Sequence, residues 1–122
     1  LFSSAASDVY KRQDLKHKSW LKTTFNISNK DIKIRYVKTL RLEKILDKHN
    51  FKEIDFMNID IEGHEIEVLK SINFRKTKVN VICVEVLDYD KRKKKQLLNF
   101  FKKNNYFLKK RVSINYIFQK KS

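Results

Sequence analysis

The sequence predicts an α/β fold with its elements in the order β-α-β-α-β-β, mostly parallel and ending in an antiparallel hairpin. Three observations predict it. Two nearly continuous apolar runs, Ile54–Ile61 and Val79–Val86, flank a segment of helical period, as strands of a parallel sheet flank their crossover helix. A second amphipathic segment follows at about Lys91–Lys103. Tyr106-Phe107-Leu108 and Ile114–Phe118 then close the chain as two short strands joined by few residues, so they should be antiparallel neighbours. With 122 residues, 41% hydrophobic and 12% aromatic, one domain burying roughly 60–70% of its surface is expected, and global disorder is not.

Taken in order, Ser3-Ser4-Ala5-Ala6-Ser7-Asp8-Val9-Tyr10-Lys11-Arg12-Gln13 resembles, codon for codon, a translation of the transposon-end adapter of shotgun sequencing libraries. Leu1-Phe2 would come from the index beside it. Residues 1–13 are therefore expected to be an adapter-derived artefact and residues 14–122 a partial domain that begins in the middle of a gene. From Asp14 to about Asn29 no period holds, which predicts a loop. Ile32, Ile34 and Tyr36 alternate with charged residues as a half-buried strand does. Thr39 is placed to cap a short helix with Leu42, Ile45 and Leu46 on one face. After the Ile54–Ile61 strand, Ile66, Leu69 and Ile72 mark the crossover helix, and the Val79–Val86 strand completes a βαβ unit. In the last helix Leu97, Leu98, Phe100 and Phe101 point inward, and the Lys91–Lys95 cluster reads as a solvated face.

The 29 Lys and Arg against 14 Asp and Glu give a net charge of +15, which by itself suggests nucleic acid or an anionic membrane as partner. Lysine is spread over nearly every segment beside abundant Asn and Ile, with one Gly and no Pro. That is the pattern AT-rich codons produce. The aromatics sit at periodic core positions and not on a stacking platform, which argues against a nucleic-acid module. Cys83 lies alone inside an apolar run and behaves there as a small hydrophobe, in keeping with a reducing compartment. No stretch approaches the ~20 apolar residues of a membrane span, so the expected location is the cytoplasm, with no membrane partner.

In open α/β sheets ligands sit outside the carboxyl ends of the strands. Asp60 and Glu62 fall there on one strand, and Glu85 and Asp88 on the next. Carboxylates so placed can act as general base toward a hydroxyl, bind sugar hydroxyls or hold a divalent cation. Asp60 and Glu62 are the candidate catalytic carboxylates, and His64 is a candidate base because imidazole is the side chain suited to proton transfer near neutral pH. Glu65 and Glu67 read as helix-start residues that favour the helix dipole by about 0.3–1 kcal/mol each. Gly63 lets the backbone turn sharply or approach a ligand. His17 and His49 carry no constellation, and no zinc spacing occurs.

The segment Ile54-Asp55-Phe56-Met57-Asn58-Ile59-Asp60-Ile61-Glu62-Gly63-His64-Glu65-Ile66-Glu67-Val68-Leu69-Lys70-Ser71 closely resembles the hallmark of the FkbM methyltransferase family, a strand ending in Asp-x-Glu-Gly and followed by x-Glu-x-x-x-Leu-Lys. Thr39–Leu46 is similar to that family's threonine-led helix and Val81–Val86 to its next strand. The resemblance implies the carboxyl-terminal half of a Rossmann-like class I methyltransferase sheet, with S-adenosylmethionine as cofactor. The acceptor it implies is a hydroxylated sugar, glycan or small metabolite. The cofactor-binding elements of such enzymes include a glycine-rich turn after the first strand. Gly63 is the sole glycine here, so the cofactor-binding residues are unassigned, any metal is likewise unassigned, and the segment alone is expected to be inactive. The alternatives are a small basic nucleic-acid-binding module and a catalytically silent remnant.

Overall fold

The protein is described by a computed structural model covering residues 19, 20, 22–26, 28, 39–61 and 63–122. The adapter-like residues and the strand expected over Ile32–Tyr36 lie outside the described residues. The chain divides into two compact units, Leu1–Thr39 and Leu40–Ser122. In the first, Ser19, Trp20 and residues 22–25 are helical where the sequence pattern suggested a loop. The Trp20 and Phe25 rings meet edge to face at 5.5 Å, and the Thr23 hydroxyl donates to the Ser19 carbonyl at 2.8 Å. Two local contacts of this kind hold a turn that is too short to show a period. Asn26 at φ 53 ends it, as left-handed Asn does at a helix terminus.

The second unit runs α1 (Leu42–Lys48), β1 (Glu53–Ile59), α2 (Glu65–Lys70), β2 (Lys78–Glu85), α3 (Lys91–Lys103), β3 (Tyr106–Val112) and β4 (Asn115–Lys120). The expected β-α-β-α-β-β order is present. Thr39 does not cap α1: the N-cap is Arg41, in extended conformation and with no side-chain cap. Leu46 is buried as expected, whereas Ile45 is exposed. α3 begins at Asp90, whose carboxylate accepts the Lys93 backbone N–H at 3.0 Å. A run of lysines can start a helix there because that acceptor satisfies one of the unpaired first-turn donors.

β1 and β2 pair in parallel from Glu53↔Lys78 to Ile59↔Val84. β4 pairs antiparallel with both β2 and β3, giving the order β1-β2-β4-β3. By direction three of the four strands agree. The sheet is thus mostly parallel and ends in the antiparallel β3–β4 hairpin, as expected; what the pattern leaves open is that β4 runs against the grain between β2 and β3. A hairpin pattern says that two strands are neighbours and not which of them faces the rest of the sheet.

The register places Ile82 beside Phe118 and Val84 beside Tyr116, and all four are buried. Phe101 of α3 stacks on Phe118 with centroids 3.7 Å apart, and Tyr106 and Phe74 meet edge to face beside it. Aromatic rings so arranged add packing energy beyond their buried area. The Tyr106 hydroxyl donates to the Val79 carbonyl at 2.6 Å, and burial pushes its pKa up to about 12. The phenol is neutral in both states below its ordinary value of 10, so its contribution is fully present there. That contribution is lost as pH rises from 10 through about 12, because the unfolded chain ionises first. Tyr106→Phe should therefore cost roughly 1–2 kcal/mol at neutral pH and flatten the loss of stability across that window, read by urea melts at a series of pH values.

Among the described residues β1 is an edge strand. A nearly continuous apolar run suits a strand covered on both faces, but Asp55 and Asn58 are exposed and Phe56 is 58% exposed. A parallel neighbour on one side alone leaves its other ladder groups unpaired, which makes a template for association. Residues 14–122 expressed alone are expected to self-associate, and a monodisperse species by light scattering with a cooperative thermal transition would contradict this.

Candidate functional site

β1 delivers the chain to Asp60, the first residue past the strand, and Gly63 leads into α2 with His64 as N-cap. Asp60 is exposed. Its charge is felt at Cys83 on β2, where burial first and the Asp60 carboxylate second push the thiol above its ordinary value. The parallel pairing of Ile59 with Val84 puts Asp60 at the same end of the sheet that β2 reaches at Glu85, which is half-buried. Glu62 lies outside the described residues. His64 makes no side-chain cap and keeps its Nδ1 3.9 Å from a Glu67 carboxylate oxygen, with its side chain 26% exposed. Among the described residues no hydrogen bond or ion pair joins Asp60 to His64.

Gly63 holds this turn. Its φ of 98° lies where side chains are strained. Its N–H donates to Glu65 Oε1 at 2.9 Å, and its carbonyl accepts from Lys93 Nζ at 2.6 Å. A Cβ at this position would stand 2.9 Å from Lys93 Nζ. Gly63→Ala is expected to cost roughly 1–3 kcal/mol, seen as a fall in Tm of about 4 °C or more by circular dichroism. Glu65, which the sequence pattern assigned to the helix dipole, is only 5% exposed and serves the turn instead. Lys93 sits in the run expected to be a solvated face. A glutamate at a helix start has an ordinary explanation, so its place two residues after the glycine went unread, and nothing local marked Lys93.

Asp88, at the corresponding end of β2, is fully engaged. Its carboxylate accepts from Lys94 at 2.7 Å, from Arg111 and, at 3.3 Å, from the Tyr116 hydroxyl. The Lys94 hydrogen bond above all, with Arg111 beside it, holds Asp88 below the usual carboxylate range. The pair's contribution is present above the ordinary value of 3.8 and is lost as pH falls below it. Lys94 and Arg111 also lie over the Tyr116 ring, at 5.5 and 5.1 Å. This cluster ties α3 to the β3–β4 hairpin, which makes Asp88 a structural carboxylate. A depression of about 500 Å³ lined by Asp88, Lys91, Lys94, Lys95, Leu98 and Asn99 opens beside it.

Among the described residues no group of three or more His, Cys, Asp or Glu is placed to hold a metal ion, and no helix is long and apolar enough to cross a membrane. The one glycine has both backbone polar groups occupied by Glu65 and Lys93, so its peptides are not free to line a ligand. What the arrangement offers is an unengaged carboxylate at Asp60 and an imidazole four residues on, at the end of the sheet where reactants bind in such folds. Residues 3–108 match the family model described as Methyltransferase FkbM domain. No curated protein and no solved structure matches.

Proposed function

The chain belongs to the FkbM methyltransferase family, and on that premise we propose that it is the carboxyl-terminal part of a Rossmann-like enzyme. In this reading the enzyme moves a methyl group from S-adenosylmethionine to a hydroxyl of a sugar, glycan or small metabolite, and the cofactor is held by a half that this chain does not supply. The observation that carries the reading is the exposed Asp60 carboxylate at the carboxyl end of β1, within the matched segment. Asp60 would take the proton from the acceptor oxygen or hold that hydroxyl in line for attack. Glu62 would assist in binding the acceptor, and His64 is the second candidate for the proton. The lone buried Cys83 suits a reducing, cytoplasmic location.

The burial of Phe101, Tyr106, Tyr116 and Phe118 favours this reading over a nucleic-acid module, since stacking platforms present their rings to solvent. The test has two arms. The DNA is read upstream and over codons 3–13, and the protein extended by any native upstream coding sequence is assayed beside the chain alone. S-adenosylmethionine binding by calorimetry and methyl transfer to a panel of hydroxylated acceptors by mass spectrometry should appear in the extended protein only. Native coding sequence over codons 3–13 would sink the adapter reading, and an extended protein that binds the cofactor but transfers nothing would point to a silent remnant.

A further inference from the structure

Both backbone polar groups of Gly63 are held by side chains from different helices, and we propose that Glu65 and Lys93 are positioning residues that brace the Gly63–His64 entry to α2 from its two sides. The inference extends the methyltransferase reading of this turn. Glu65 Oε1 takes the Gly63 N–H at 2.9 Å and Lys93 Nζ takes the Gly63 carbonyl at 2.6 Å. The two groups belong to successive peptides, so together they pin the rotations on either side of one Cα, the one that stands at φ 98.

A glutamate that merely favoured a helix dipole would keep its carboxylate in water. Glu65 is 5% exposed, and burying a carboxylate is costly unless it is hydrogen-bonded. The bond to Gly63 supplies that compensation. Lys93 reaches the turn from α3 across 30 positions of sequence. Its own backbone N–H is anchored on Asp90, and its neighbour Lys94 is tied to Asp88, so the ammonium is presented from a fixed base. A Cβ at residue 63 would lie 2.9 Å from Nζ, so the ammonium would have to shift to make room for it. An anion on one flank and a cation on the other hold the Gly63 backbone in its left-handed conformation, and that conformation sets how His64 enters α2.

Nuclear magnetic resonance on the full chain tests this without any methyl-transfer assay, so failure of the brace and failure of the methyltransferase reading are separate results. Glu65→Ala should raise amide exchange at Gly63 about tenfold, while Glu65→Gln, which keeps an acceptor oxygen, should leave it near the wild-type rate. Lys93→Met should shift the His64 ring resonances and leave those of His49 in place, and Lys93→Arg should restore them. A role confined to general stability would move both histidines together with Tm. Unchanged Gly63 exchange in a folded Glu65→Ala protein, or a Lys93→Met protein in which His64 does not move or moves only together with His49, overturns the proposal. If Glu65→Ala does not fold, the Lys93 pair, an exposed position, decides it.

Discussion

Asp60→Asn, made in the longer enzyme proposed to contain this segment, is expected to lower methyl transfer by roughly 10²–10⁴-fold, the usual worth of a general base, with little change in S-adenosylmethionine affinity. The contrast with Asp88 supplies the argument. Both carboxylates follow a parallel strand at its carboxyl end. Asp88 is consumed by Lys94, Arg111 and Tyr116, whereas Asp60 is exposed and makes no hydrogen bond or ion pair among the described residues. A carboxylate left unengaged at the ligand end of the sheet is available to take a proton as the acceptor oxygen attacks. Asparagine preserves its shape and removes its charge. Calorimetry gives the cofactor dissociation constant and single-turnover kinetics give the transfer rate. Near-normal transfer would remove Asp60 from the catalytic residues, and loss of cofactor binding with the fold intact would move it to the cofactor site.

Phe101→Ala is expected to remove roughly 3–5 kcal/mol, out of the 5–15 kcal/mol that hold an ordinary domain together. Phe101 has no exposed surface. Its ring lies 3.7 Å from that of Phe118 at an interplanar angle of 10°, with Tyr106 at 5.6 Å and Phe100 at 5.9 Å. The ring is the point where α3 meets both strands of the hairpin, so its loss opens a cavity that no neighbour on a regular sheet can move to fill. Phe101→Leu, which retains most of the volume, should recover more than half of the loss. Urea melts followed by far-ultraviolet dichroism measure both; a cost for alanine below about 1 kcal/mol would be incompatible with a close-packed core at this point.

The parts of this fold that sequence pattern reveals are those made by local periodicity. α3 has the expected bounds, because a 13-residue amphipathic helix opened by Asp90 declares both its period and its start. β1 and β2 are visible as apolar runs, although Phe56 shows that an apolar run does not guarantee burial. The insertion of β4 beside β2 is invisible locally, since Tyr116 and Phe118 at period two fit a strand in any sheet position. At the candidate site, the exposed place of Asp60 just past β1 follows from the apolar run that precedes it. Glu65 and Lys93 do not follow, because a glutamate at a helix start and a lysine within a lysine run each have an ordinary explanation, and only the folded turn brings both to Gly63.

The placement of β4 also bears on how the domain is synthesised. β4 is translated after every other element of the sheet, yet it occupies an interior position, and β3 has no other partner among the described residues. While α3 and β3 leave the ribosome, the far side of β2 stays open, and the hydrogen bonds it will make wait for Asn115–Lys120. Distant pairings of this sort form slowly and leave edges uncovered in the interval. A nonsense or frameshift lesion ahead of Asn115 therefore yields two disconnected pieces, a β1–β2 ladder and an orphan strand, in place of a slightly smaller sheet. Such products would pass to chaperones and proteases, and lesions just ahead of Asn115 should be tolerated no better than lesions between β1 and β2.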